Sequence, residues 1–328
     1  NPTRPKGGAP AADAKRSDFA RLVGGSAATA ELRVGGSVDA LLRQVVGPFV
    51  EKAPDPKRDA LVATVDKALS DVMRSVLHQP EFQNLESLWR GLDMLLRRIE
   101  TGPSLQVHLI DISAEEFAAD LSSVSDLSET GLHSLLVDKP SQEKNGGYSL
   151  ICGLFNFEAT PPHAELLGRM AKIAAAAGAP FVTAIASDAF MDKKRAPHPL
   201  VLQAVNALRG LPEAGALALL SPRFMLRHPY GKRSDPISSF TFEEFTAADG
   251  LRGMLWGHPA LIAASILAAP TGKTLSIGDI PFHYFTDADG DQIALPCTER
   301  LIPTDIAARL RGFGITALMA HKGQPELQ

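Results

Sequence analysis

The chain has 328 residues, 45% of them hydrophobic, a formal net charge of −4 and a mean hydropathy of +0.01, which suffices for one large α/β domain or two smaller ones. A pI near 6.2 gives no basic field to draw it to nucleic acid or anionic lipid. Cys152 and Cys297 lie too far apart for metal-ligand or redox spacing, and no apolar run approaches the roughly 20 residues of a membrane span, so a cytoplasmic protein without direct membrane insertion is expected.

Residues 1–36, rich in Gly, Ala, Pro and basic side chains, read as a flexible arm that cannot bury a core of its own. Its single strand-like stretch is "AELRV", where Glu31, Leu32, Arg33 and Val34 form a candidate donor strand ahead of the Gly35-Gly36 joint. The missing initiator Met leaves room for a longer arm. A helical segment is expected over 37–100. Ser37 can cap a short helix carrying Leu41, Leu42, Val45 and Val46, and Gly47-Pro48 ends it. Asp55 and Pro56 start a long helix with Leu61, Val65, Leu69, Val72 and Val76 on one face. A third helix opens at Pro80. There Phe82, Leu85, Trp89, Leu92, Leu96 and Ile99 alternate three and four residues apart, a seam that calls for a helix against it. In this reading Trp89 is buried packing, Arg90 pairs with Glu86 one turn earlier, and Gly91 permits a close approach.

From residue 101 to 328 strands alternate with helices, which predicts an α/β core with a largely parallel sheet and flanking helices. Strands are expected at "LQVHLIDI", at "YSLICGLFNF" as a central strand, at "PFVTAIAS", at "GALALLS" and finally at "ITALMA". Helices are expected at "PPHAELLGRMAKIAAAAGA", closed by Gly178, and at "HPLVLQAVNALRG", "HPALIAASILAA" and "PTDIAARLRGFG", with a hairpin at "PFHYFTDADGDQIALP".

Motifs that imitate chemistry are incomplete. "PTGKT" at 270–274 lacks the upstream glycine of a phosphate loop, since Leu267 stands there. Asp287, Asp289 and Asp291 have calcium-loop spacing without the flanking helices or distal glutamate, and read as a hairpin turn. No HExxH pair and no GxSxG elbow occurs, His78, His163 and His198 stand where capping or surface roles are usual, and the run "MDKKRAPH" reads as a solvated loop. No catalytic, cofactor or metal residue is assigned.

Order and wording together do resemble a known family. "LHQPEFQNLESLWRGLDMLLRRIE" is similar to the signature of the large sheath subunit of type VI secretion systems, the TssC (VipB) family, in which a His-Pro-x-Phe-Gln-x-Leu-Glu-x-x-Trp-Arg-Gly run is typical; here Gln79 intervenes between His78 and Pro80. "YSLICGLFNFE", "MAKIAAAAGAPFVTAIASDAF", "SPRFMLRHPYGKRSDPISSFTFEE", "LWGHPALIAASIL" and "DGDQIALPCTERLIPTDIAARLRGFGITALMAHKG" continue the similarity in order. The resemblance makes Pro80, Phe82, Leu85, Glu86, Trp89, Arg90 and Gly91 a structural signature. It implies a contractile-sheath subunit, not an enzyme, that needs no cofactor. The implied partners are a small sheath subunit of the TssB/VipA type, further copies of the chain in a helical assembly, an inner Hcp tube, a baseplate, and the ClpV unfoldase through the segment of Leu41, Leu42, Val45 and Val46. The family typically continues beyond Lys322-Gly323, whereas this chain stops at Gln328. The alternative reading is therefore a sheath-like adaptor, cap or regulatory paralogue that does not polymerise by itself.

Overall fold

The computed structural model describes Ala40 and residues 56–143, 146–268, 280–286, 289–321 and 324–327. The expected arm, the candidate donor strand, the apolar residues of the 37–46 helix, the "TGKT" run and Asp287 lie outside the described residues. Two compact units divide the chain, Asn1–Thr64 and Val65–Gln328, with the boundary inside the first helix.

The two helices expected before residue 100 form as α1 (Pro56–Leu77) and α2 (Pro80–Arg98). Each opens on a proline, whose missing N–H costs nothing in the first turn. Then come α3 (Ala114–Ser123), started by a reciprocal Ser113–Glu116 capping box, and short helical turns over 127–141. The sheet begins with β1 (Ile151–Phe157), followed by α4 (Pro161–Ala177), β2 (Phe181–Ile185), α5 (Pro199–Arg209) and β3 (Leu217–Ser221). Gly178 adopts φ 67° and closes α4 with its N–H on Ala174 and Ala175 carbonyls. A small pair, β4 (Phe224–Met225) with β5 (Trp256–Gly257), precedes α6 (Pro259–Leu267). The hairpin β6 (Tyr284–Thr286) with β7 (Gln292–Ala294), the helix α7 (Thr304–Gly312), β8 (Ile315–His321) and β9 (Gln324–Leu327) complete the order.

The main sheet runs β1-β2-β3-β8-β9, parallel through β8 and antiparallel at β9. Both faces are covered, as nearly continuous apolar strands require. On one face Phe181, Ile185, Leu219, Ile315 and Met319 pack under α3, α4, α5 and α7; on the other, Val182 and Leu220 meet Ala260 and Ala263 of α6. β1 carries a bulge between Gly153 and Asn156, where the Thr183 hydroxyl lies 2.8 Å from the Gly153 carbonyl and 3.0 Å from that of Phe155.

Three strand expectations are corrected. "LQVHLIDI" joins no ladder: Leu105 bonds back to Gly102 in a tight turn and the segment runs on extended, with Val107, Leu109 and Ile110 exposed. β1 is consequently an edge strand, not a central one. "ITALMA" is not the last strand, since β9 folds back on β8. Apolar alternation identifies a segment able to pair, but pairing is decided by which neighbours reach it in register.

Candidate functional site

Helix α2 uses its faces for two different tasks. The inward face carries Ser87, Gly91 and Leu95 at four-residue spacing. Ser87 Oγ donates to the Trp256 carbonyl at 2.7 Å, and Leu95 and Ile99 pack with Leu261 and Ala264 of α6. Gly91 is where the two helices come closest: a Cβ built there would collide with Cδ1 of Leu261.

One flank of α2 is bound by ions. Arg227, just beyond β4, donates through Nε to Glu86 Oε1 (2.8 Å) and through its terminal nitrogens to Glu244 Oε2 (2.7 Å), Glu244 Oε1 (3.0 Å) and the His228 carbonyl (3.0 Å). Glu244, only 1% exposed, also accepts the Tyr230 N–H at 2.7 Å. Arg90 closes the ring, donating to Glu86 Oε1 at 2.7 Å and to the Tyr230 hydroxyl at 2.8 Å. The Arg227 guanidinium lies 4.3 Å from the centroid of the Tyr230 ring. His78 Nε2 sits 3.8 Å from Glu244 Oε1, beyond hydrogen-bond reach. Burial alone would raise the Glu86 carboxyl, but the hydrogen bonds and charge of Arg227, then those of Arg90, overcome it and hold the group below the usual carboxylate range. Burial opposes the charge of Arg227 too, yet its two carboxylate partners push its pKa upward. Glu86 and Arg227 thus stay ionised, and the cluster fastens α2 to the segment 227–244.

The remaining face of α2 is apolar and open. Phe82, Leu85, Trp89 and Leu96 are 40%, 55%, 65% and 42% exposed, Leu92 is half-buried, and only Ile99 at the end of the seam is buried. Val65, Leu69, Val72 and Val76 of α1 are exposed as well. The expectation that Trp89 is core packing is therefore wrong in this chain. A helix can turn only one face to the sheet, and the small residues Ser87 and Gly91 give that place to the opposite side, where α6 approaches closely. Of the other signature residues, Pro80 opens α2, and Glu86 and Arg90 pair as i, i+4 neighbours.

Sequence reasoning missed Arg227, Tyr230 and Glu244. The available signal was a charge at the end of the apolar run "FMLR" and two carboxylates between Phe242 and Phe245, since charges embedded among apolar residues are commonly paired when buried. His258 was missed too. It is buried, its Nδ1 accepts from the Ala260 N–H at the start of α6, and its Nε2 lies 2.9 Å from the Phe155 carbonyl. Burial pushes its pKa down to about 4, with the Arg223 charge acting in the same direction against the Phe155 bond. The neutral ring is thereby a rivet between α6 and β1. Burial pushes the Cys152 thiol up to about 12, consistent with an inert filler beneath α6.

Among the described residues no group of three or more His, Cys, Asp or Glu side chains is placed to hold a metal ion, and no helix is long and apolar enough to cross a membrane. Among the described residues, α2 thus combines a flank fastened by ions with an exposed apolar seam. The VipB family, described as EvpB/VC_A0108, tail sheath N-terminal domain, matches residues 59–327, and the chain belongs to it. It is 31% identical over 223 residues, 63% of its length, to the type VI secretion system sheath protein TssC1 of Pseudomonas aeruginosa. That match takes in 44% of the relative, so the chain spans less than half the length of the curated protein it resembles.

Proposed function

We propose that this chain is the large-subunit component of a type VI secretion sheath, acting in the cytoplasm through packing and interfaces and assembling with a small sheath subunit and with copies of itself around an inner Hcp tube. The observation that carries this reading is the open seam of α2. Apolar positions at alternating spacings of three and four suit knobs-into-holes packing against a second helix, and a contiguous exposed apolar stripe marks a protein contact. The occupant we assign is an amphipathic helix of the small sheath subunit. Family membership and the similarity to a sheath protein support the same choice.

Co-expression with the small sheath subunit tests it. Trp89→Ala removes an exposed ring and should leave the melting temperature nearly unchanged, while loss of an interface aromatic of this kind costs about 2 kcal/mol or more of binding, roughly thirtyfold in Kd. Co-purification equal to that of the parent would refute the assignment. Negative-stain images of the co-expressed proteins should contain tubes with cogwheel cross-sections; discrete particles would favour the adaptor or cap. Deleting residues 1–36 should spare the melting temperature and weaken co-assembly if Glu31, Leu32, Arg33 and Val34 donate a strand. By the same resemblance, Leu41, Leu42, Val45 and Val46 are the segment for unfoldase recognition.

A further inference from the structure

The helical layer over the sheet carries opposite charge at its two ends. Its order is α3, α4, α5, α7: α3 packs on α4 and α4 on α5, Leu202 of α5 shares a cleft with Arg309 of α7, and Arg209 of α5 donates to the Gly312 carbonyl at the end of α7. At the α3 end stand Asp111, Glu115, Glu116, Asp120, Asp126 and Glu129, in a stretch from 101 to 138 without lysine or arginine; a cation that does reach it is Arg169 of α4, which donates to the Leu121 and Val124 carbonyls at 3.0 Å and pairs with Glu165. All six except the half-buried Asp120 are exposed.

The α7 end is basic. Lys193, Lys194 and Arg195 precede α5, Arg209 ends it, and Arg309 and Arg311 lie on α7, with Asp188, Asp192 and Asp305 as the acids beside them; Asp305 is taken by Lys193 and Asp188 by Arg300. An open cleft of about 480 Å3 lies among them, with Pro197, Leu202 and Phe313 as its apolar lining and Lys193 and Arg309 as its charged one. The Arg309 guanidinium is under-used: its Nε is buried without a partner, one terminal nitrogen reaches the Arg195 carbonyl only at 3.4 Å, and the Phe313 ring centroid is 5.9 Å away. A chain of net charge −4 has no general surplus of cations to account for this end.

We propose that the acidic α3 end of one copy docks on the basic 193–195 and 309–311 end of a second copy. The contact joins two different surfaces, so it repeats head to tail and builds a ring or an open helix rather than a closed dimer. It deepens the proposed self-assembly by naming the surfaces and rests on that reading for its place in a tube, while the docking itself is a property of this chain alone.

The test is sedimentation velocity of the full chain at about 10 mM and about 1 M salt, where charges are felt over about 30 Å and about 3 Å. The parent should self-associate with rising concentration at low salt and lose this at high salt. Lys194→Glu with Arg195→Glu, and separately Glu115→Lys with Glu129→Lys, should each weaken association at least tenfold with unchanged melting temperature. Mixing the two variants should restore it, because each reversed end then meets its opposite. A carbodiimide, which joins amine to carboxylate directly, should link Lys194 of one isotopically labelled copy to Glu115, Glu116 or Glu129 of an unlabelled one. Identical sedimentation of the parent at both salts, or a mixture that stays dissociated, would overturn the proposal. So would sensitivity to the basic reversal alone, which would point to some other anionic ligand in the cleft. Both variants should still co-purify with the small sheath subunit through the α2 seam. A parent that fails to bind that subunit would overturn the proposed function, and the salt and mixing results would still decide the contact.

Discussion

Replacing Arg227 with Met removes the centre of the ion cluster and nothing else of comparable charge. Glu244, 1% exposed, would keep the Tyr230 N–H at 2.7 Å, with His78 at 3.8 Å as the next nearest basic group. Glu86 would retain Arg90 at 2.7 Å. The cost is therefore concentrated on one buried carboxylate that has lost its counter-charge, a situation that typically destabilises by about 3–5 kcal/mol. At about 2–4 °C per kcal/mol for a unit of this size, the melting temperature should fall by about 6–20 °C. Urea unfolding of Arg227→Met beside Arg227→Met/Glu244→Gln is the assay. The amide can still accept the Tyr230 N–H but buries no charge, so the double variant should recover most of the loss, to within about 1–2 kcal/mol of the parent. Arg90→Ala, whose side chain is 45% exposed, should cost less than about 1 kcal/mol. A single Arg227→Met variant as stable as the parent, or a double variant as unstable as the single, would refute the reasoning.

At Gly91 an Ala would gain about 1 kcal/mol of helix propensity and lose about 1–3 kcal/mol by crowding Leu261, so Gly91→Ala should cost little and Gly91→Val distinctly more; thermal melts that rank Val with Ala would contradict the close approach. His258 titrates near 4 when folded and near 6.5 when unfolded, so the unfolded chain binds more protons between those values. Its contribution is whole above pH 6.5 and is lost as pH falls toward 4; denaturant midpoints for the parent should drop more over that window than those of His258→Gln. The lowered Glu86 carboxyl acts in the same direction at lower pH, because stability from a depressed acid is present above its unfolded value and lost as pH falls through its folded one. Glu86→Gln should accordingly flatten the acid limb of a stability-against-pH curve.

The sequence made most of the elements legible, because the periods that define them are local. The apolar faces of α1 and α2, the Pro and Gly stops around α4, and the β6–β7 hairpin all follow from residues within a few positions of one another. What was not legible depended on distant partners. Trp89 sits in a seam whose period shows that it is apolar, but period alone does not say whether the covering helix belongs to the same chain. The Glu86–Arg90 pair could be read from four-residue spacing, whereas Arg227 and Glu244 reach α2 only through the tertiary path that brings residues 141 positions apart together. The segment 105–112 failed for the same reason: its side chains suit a strand, and the fold leaves it without a ladder.

The two charged or apolar features of α2 bear on each other through orientation. Buried ion pairs are poor sources of net stability compared with apolar residues of the same shape, so the cluster of Glu86, Arg90, Arg227 and Glu244 is better understood by what it fixes. The apolar contacts of Leu95 and Ile99 with Leu261 and Ala264 would tolerate a small rotation of α2 on α6, since apolar contacts are not directional. The Arg227 bonds to Glu86 do not, because a guanidinium meets a carboxylate in one plane. With that flank locked, Trp89 and Leu85 are held outward at a set angle, and the proposed helix of the small subunit would meet a pre-arranged seam without first ordering it. Arg227→Met/Glu244→Gln separates these roles. Its stability should lie near that of the parent, yet its affinity for the small sheath subunit should fall, measured by titration calorimetry as a weaker Kd with a less favourable entropy. Unchanged affinity in that variant would mean that α6 alone sets the angle of α2 and that the ions serve only to neutralise one another.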